Sequence, residues 1–145
     1  MRSLRIPELL IIDDDQNLTE LLGAYLENQG YVIKIANDGK EGIRSLFNHQ
    51  PDLVVLDVTM PLKDGWETLQ GIRDVSGLPV IMLTARDDEP DVLRGFSLGA
   101  DDYVTKPFSF AQLAARIQAV LTRGTHQVQE KETHLEQGDL RVDLR

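Results

Sequence analysis

Short, unbroken apolar runs at regular intervals constrain this chain more than any other feature. Leu9–Ile12, Leu53–Leu56 and Val80–Leu83 each hold four apolar residues, and Tyr103-Val104 is a shorter run of the same kind. Runs of this length, bounded by polar or turn residues, read as strands buried on both faces. Tyr31-Val32-Ile33-Lys34-Ile35 carries a charge within its alternation and suits a half-exposed edge strand. Segments of helical period separate the strands. Leu18, Leu21, Leu22, Tyr25 and Leu26 follow i, i+3, i+4, i+7, i+8 spacing and stop at Gly30, a left-handed cap. Phe110, Leu113, Ile117 and Leu121 form a second stripe opened by Ser109 as N-cap. Ile43-Leu46-Phe47, Leu69-Ile72 and Leu93-Phe96 mark three shorter helices. Strand and helix alternate five times, which predicts right-handed crossovers and a doubly wound five-stranded parallel sheet with five helices, in strand order 2-1-3-4-5.

At 145 residues the chain suits one compact core, and with no cysteine it has neither disulfides, thiolate metal sites nor thiol nucleophiles. Fifteen basic residues against 24 acidic ones give a net charge of −9, which repels phosphate backbones and disfavours nucleic-acid binding by this chain itself. Four-residue apolar runs fall far short of the roughly 20 residues needed to cross a bilayer, and Met1 to Pro7 lacks a secretory pattern. The expectation is a cytoplasmic protein without membrane contact. Residues 1–123 carry the alternating pattern, whereas 124–137 are polar and without a stripe, as in a linker. Residues 138–145 alternate Leu140, Val142 and Leu144 against Asp139, Arg141 and Asp143, as the first strand of a second domain would.

In a parallel sheet all strand C-termini open on one edge, where ligands bind. Here the first strand runs into Asp13-Asp14-Asp15, the third into Asp57, the fourth into Thr84 and the fifth into Thr105-Lys106-Pro107. Asp15 is assigned to the N-cap of the following helix rather than to a site. Asp13 and Asp14 taken alone also fit solvated acids of a first turn, and Thr84 and Lys106 alone fit ordinary strand-end and surface positions. Brought to one edge, the three carboxylates of Asp13, Asp14 and Asp57 repel one another, at about 4 kcal/mol for a pair 4 Å apart in an effective dielectric near 20. Lys106 neutralises part of this charge. The remaining all-oxygen donor set suits a hard cation, Mg²⁺ with Mn²⁺ as a substitute. A carboxylate held beside a cation and a lysine is arranged to attack phosphorus and carry an acyl phosphate, with Thr84 Oγ able to donate to a phosphoryl oxygen.

Four segments carry a family resemblance: Ile12-Asp13-Asp14-Asp15, Asp57 through Gly65, Leu83-Thr84-Ala85-Arg86, and Gly99-Ala100-Asp101-Asp102-Tyr103-Val104-Thr105-Lys106-Pro107-Phe108. In order and spacing they resemble the receiver domains of two-component response regulators, over Leu9 to Arg123, and within that family the OmpR/PhoB subfamily with its winged-helix DNA-binding effector. The resemblance implies a flavodoxin-like receiver domain at 1–123, a linker at 124–137 and the start of a truncated effector at 138–145. It implies that Asp57 accepts a phosphoryl group from a sensor histidine kinase. Asp14, Asp57 and the backbone carbonyl of Thr59 would bind Mg²⁺, Asp13 would do so through water, and Lys106 would contact the phosphoryl group. Thr84 and Tyr103 would be the switch pair. The activated chain would form a homodimer through the fourth helix, fifth strand and fifth helix, with Asp101, Asp102, Arg116 and Arg123 on that face. DNA would be reached only through the effector domain, and the receiver would catalyse nothing beyond its own phosphorylation and dephosphorylation.

The family's usual Lys in the fourth helix and Glu in the fifth, which pair with each other, are here Val92 and Gln112. By the same resemblance, Thr59 and Arg86, two residues beyond Asp57 and Thr84, would lie beside the path of a hydrolytic water and bear on phosphoryl lifetime. Two other classes are weighed. Haloacid-dehalogenase-like phosphatases also use an aspartyl nucleophile, but with a second Asp two residues on, where this chain has Thr59. A stand-alone adaptor docking on a partner would not need the linker and terminal strand, and a flavin binder would want a phosphate-cradling loop rather than three acids after the first strand.

Overall fold

The computed structural model describes residues 6–59, 64–85 and 89–137. Strands and helices alternate as the pattern predicts. The elements are β1 Glu8–Ile12, α1 Gln16–Asn28, β2 Val32–Ala36, α2 Gly39–His49, β3 Leu53–Asp57, α3 Asp64–Val75, β4 Val80–Thr84, α4 Glu89–Ser97, β5 Asp102–Thr105 and α5 Phe110–Gln137. All neighbouring strands are parallel, and the order is β2-β1-β3-β4-β5. That order places β2 at a margin, in keeping with Lys34.

Two-residue periodicity along the central strands divides the core into two layers. Leu10, Ile12, Val54, Leu56, Val80 and Met82 pack with Leu46, Leu69 and Ile72 of α2 and α3. Their neighbours Leu9, Ile11, Leu53, Val55, Ile81 and Leu83 pack with Leu22 and Leu26 of α1 and Leu113 and Ile117 of α5. Each such side chain, fully buried, contributes on the order of 1.5–3 kcal/mol of transfer free energy. Helix starts follow local chemistry. Asp15 Oδ1 accepts from Leu18 N–H, Asp38 Oδ1 from Glu41 N–H and Ser109 Oγ from Gln112 N–H. Gly30, just past α1, has φ +104°.

Two expectations need correction. Tyr103-Val104 does not lie within a strand buried on both faces: β5 is the second margin of the sheet, with only Val104 buried. Leu93 and Phe96 are not core residues, being 59 % and 43 % exposed. α4 is rotated so that Val92 faces inward and Gly95 lies flat on Met82, where any Cβ would collide with the sulfur. Helical spacing alone does not distinguish 92/95 from 93/96, because both pairs are three residues apart. The stretch 124–137, expected as a linker, is helical, α5 continuing through it. Gln127, Gln129, Glu130, Lys131, Glu132 and Glu136 are good helix formers, and a helix without an apolar stripe can be polar all round. The strand expected at 138–145 lies outside the described residues.

Two glycines give opposite expectations. A Cβ at Gly23 in α1 would meet Ile35 and Ile33 side chains at 3.4 and 3.5 Å, ordinary contact distances. Gly23→Ala should therefore stabilise by about 0.5–1 kcal/mol through helix propensity. A Cβ at Gly65 would strike the Val58 backbone and the Asp57 carbonyl, neither of which can give way. Gly65→Ala should cost about 1–3 kcal/mol. Urea unfolding midpoints of the two variants should move in opposite directions.

Candidate functional site

Four strand ends meet on one edge of the sheet. Asp13 follows β1 and is 0 % exposed, Asp57 ends β3 at 2 %, and Thr84 ends β4 at 1 %. Lys106 follows β5, its backbone N–H donating to the Thr84 carbonyl at 2.7 Å, and precedes Pro107 through a cis peptide bond. Its ammonium bridges two buried acids, donating to Asp57 Oδ2 at 3.1 Å and to Asp13 Oδ2 at 3.3 Å. Asp14 stands beside them but is exposed, and carboxylate oxygens of Asp13, Asp14 and Asp57 lie within 4.8 Å of one another. The structure thus brings together the acids and the lysine that the sequence singled out.

Each buried carboxylate has a defined seat. Asp13 Oδ1 accepts from Asp15 N–H at 3.1 Å, and Asp57 Oδ1 accepts from Thr59 N–H at 2.8 Å and from Thr59 Oγ1 at 2.6 Å. The Thr59 hydroxyl was not foreseen as a partner of Asp57, because the sequence offers no way to choose its rotamer. Gly65, with no side chain, lets α3 approach the Asp57 backbone. Arg86 lies outside the described residues.

Burial and charge shift the ionisation of this group. Desolvation raises Asp13 from 3.8 to about 6; the Asp57 charge adds to this, while the Asp15 N–H and the Lys106 charge oppose it. Burial alone would push the Lys106 ammonium down, but Asp57 and Asp13 outweigh it and its pKa is raised. Lys106 therefore stays charged at neutral pH, and among the described residues it is the ammonium seen to pair with these acids. An all-oxygen set with unbalanced negative charge, one member of which is open to solvent, fits a hard metal cation.

The remaining residues are placed differently. Tyr103 lies opposite Met82 in the sheet, its ring meeting Phe96 of α4 edge-on at 5.9 Å between centroids. Asp101 and Asp102 are both engaged within the chain. Asp102 accepts from Arg116 Nη1 at 3.1 Å on each oxygen. Asp101 Oδ2 accepts from Val80 N–H at 2.9 Å and from Arg73 Nη2 at 3.1 Å. Arg73, which sequence reasoning passed over, also donates to the Gly99, Ser76 and Leu78 carbonyls. Its guanidinium lies where a Cβ at Gly99 would be, and Gly99 has φ +105°. Arg123 is exposed, and Val92 is buried.

Comparison with known proteins agrees with this geometry. The transcriptional regulatory protein CpxR of Klebsiella pneumoniae is 43 % identical over 136 residues, covering 94 % of this chain and 58 % of that protein. The CpxR homolog of Haemophilus influenzae is 50 % identical over 116 residues, covering 80 % of this chain and 51 % of that protein. The chain therefore spans about half the length of these curated relatives. The solved receiver domain of the Francisella response regulator 1452 shares 34 % identity at a TM-score of 0.76, over 81 % of this chain and 98 % of that one. A family model for the response regulator receiver domain matches residues 9–118, from the first strand into the fifth helix and across all three acids and Lys106. The chain belongs to the response regulator receiver family.

Proposed function

We propose that Asp57 accepts a phosphoryl group from the phosphohistidine of a sensor histidine kinase, and that the resulting change in packing controls a DNA-binding effector domain of a cytoplasmic transcription regulator. The observation that carries this reading is the buried Asp57 carboxylate, held between Lys106 and Thr59 beside two further acids. A carboxylate oxygen of Asp57 attacks phosphorus, the P–N bond breaks, and its electron pair leaves on the imidazole nitrogen, which takes up a proton. Asp14, Asp57 and the Thr59 carbonyl would hold Mg²⁺, or Mn²⁺ in its place, with Asp13 acting through water. When bound, the cation neutralises charge on the phosphoryl oxygens. Lys106 offers a further positive contact beside Asp57.

Downstream of the transfer, the Thr84 hydroxyl turns toward the new dianion and the Tyr103 ring moves inward, biasing a two-state arrangement of β4, β5 and α4. Residues 1–123 would form the receiver, 124–137 the linker and 138–145 the start of the effector. α4, β5 and α5 form the dimer face, with Asp101, Asp102, Arg116 and Arg123 on it. The Asp102–Arg116 pair, already closed within one protomer, braces β5 against α5 on that face. The chain promotes its own phosphorylation and dephosphorylation and acts on no external substrate.

Incubation with acetyl phosphate and Mg²⁺ should add one phosphoryl group, located at Asp57 by peptide mass spectrometry and abolished by Asp57→Ala; label on another residue would contradict the assignment. Light scattering should show the apparent mass rise with beryllofluoride and Mg²⁺, less so for Arg116→Ala, and a persistent monomer would remove the dimer from this account. A pH dependence follows from Asp13. The folded chain keeps this proton up to about pH 6, whereas the unfolded chain releases it near 3.8. Raising the pH through this window lowers the stability of the metal-free chain, and the penalty is complete above it. Cation binding discharges this penalty, so Mg²⁺ should raise the melting temperature more at pH 7.5 than at pH 5 by differential scanning calorimetry. An equal rise at both values would contradict it.

A further inference from the structure

The turn between β2 and α2 holds the backbone of the acidic segment. Asp13 N–H donates to the Ala36 carbonyl at 3.1 Å, and Asn37 Nδ2 donates to the Asp13 carbonyl, also at 3.1 Å. Asn37 is itself fixed between the end of β2 and Asp38, which caps α2. The Asp13 carbonyl and the Asp14 N–H belong to one rigid peptide plane, so a hydrogen bond that fixes the first sets the axis from which Asp14 departs. This matters for Asp14 in particular. Asp13 and Asp57 are confined by burial and by Lys106, whereas the Asp14 carboxylate is exposed.

We propose that Asn37 is a positioning residue for the divalent cation: through the Asp13 carbonyl it sets the peptide plane between Asp13 and Asp14 and so aims the Asp14 carboxylate at the ion shared with Asp13 and Asp57. This rests on the reading of the three acids as a Mg²⁺ site. Asn37 meets the acidic segment at the Asp13 backbone carbonyl; it acts by limiting the orientations from which Asp14 must be recruited. Loss of such an outer contact should weaken cation affinity without altering the chemistry once the ion is in place.

Two substitutions separate positioning from simple charge. Asn37→Ala removes the donor. Asn37→Asp is nearly isosteric and also removes it, but adds a negative charge that by field alone would tighten cation binding. Calorimetric titration of the full chain with MgCl₂ at pH 7.5 should show both variants binding about ten-fold more weakly than the parent. With acetyl phosphate as donor, the Mg²⁺ concentration for half-maximal phosphorylation of Asp57 should rise by the same factor while the rate at saturating Mg²⁺ stays near that of the parent. Tighter binding by Asn37→Asp, unchanged binding by Asn37→Ala, or a lower rate at saturating Mg²⁺ would overturn the proposal. Absence of Mg²⁺ binding by the parent chain would instead overturn the metal-site reading on which it rests.

Discussion

Two carboxylates withdrawn from water and forced to share one ammonium are the constraint around which this molecule is arranged. Lys106 reaches both Asp13 and Asp57, and each of those acids follows or ends a strand whose side chains are almost wholly buried. Such a cluster would separate on a compliant scaffold. Here it is held because β1 and β3 are adjacent and in register, Ile12 opposite Leu56, so Asp13 and Asp57 emerge side by side. The apolar runs that define the fold thus also set the spacing of the charges, and the raised pKa of Asp13 is the residual cost of that placement.

Much of this was legible from the chain because it depends on order along the strands. The position of an acid after an apolar run fixes which edge it occupies, and parallel topology does the rest. The misreadings share a cause. Leu93 and Phe96 have the same spacing as Val92 and Gly95, and only the sulfur of Met82 beneath Gly95 decides which pair faces inward. Tyr103 reads like a buried strand residue until the sheet ends beside it. Asn37, Arg73 and the Thr59 hydroxyl were missed for another reason. Asn37 and Arg73 bind mainly backbone carbonyls, which every residue carries, so no side-chain pattern announces them; Asn37 meets the Asp13 carbonyl from 24 positions away.

The consecutive acids Asp101 and Asp102 show how one strand start can serve two layers. Because side chains alternate across a strand, Asp101 turns toward α3 and meets Arg73, while Asp102 turns toward α5 and meets Arg116. Their charges are therefore matched internally, and the β5 margin that resemblance assigns to dimer contacts is already braced from both sides. The exposed Asp102–Arg116 pair contributes little to stability, so its value is chiefly in orientation.

Arg73 carries the last consequence. All five of its donor hydrogens are engaged, with carbonyls from the α3–β4 and α4–β5 connections and with Asp101. Lysine, with three donors on one atom, could not reproduce that grip. The C-terminal ends of α3 and α4 are consequently tied at the rim of the sheet opposite Asp57. A nine-residue helix such as α4 is about 13 Å long. Arg73 thus holds this short helix by the carbonyl just past its C-terminal end, at Gly99.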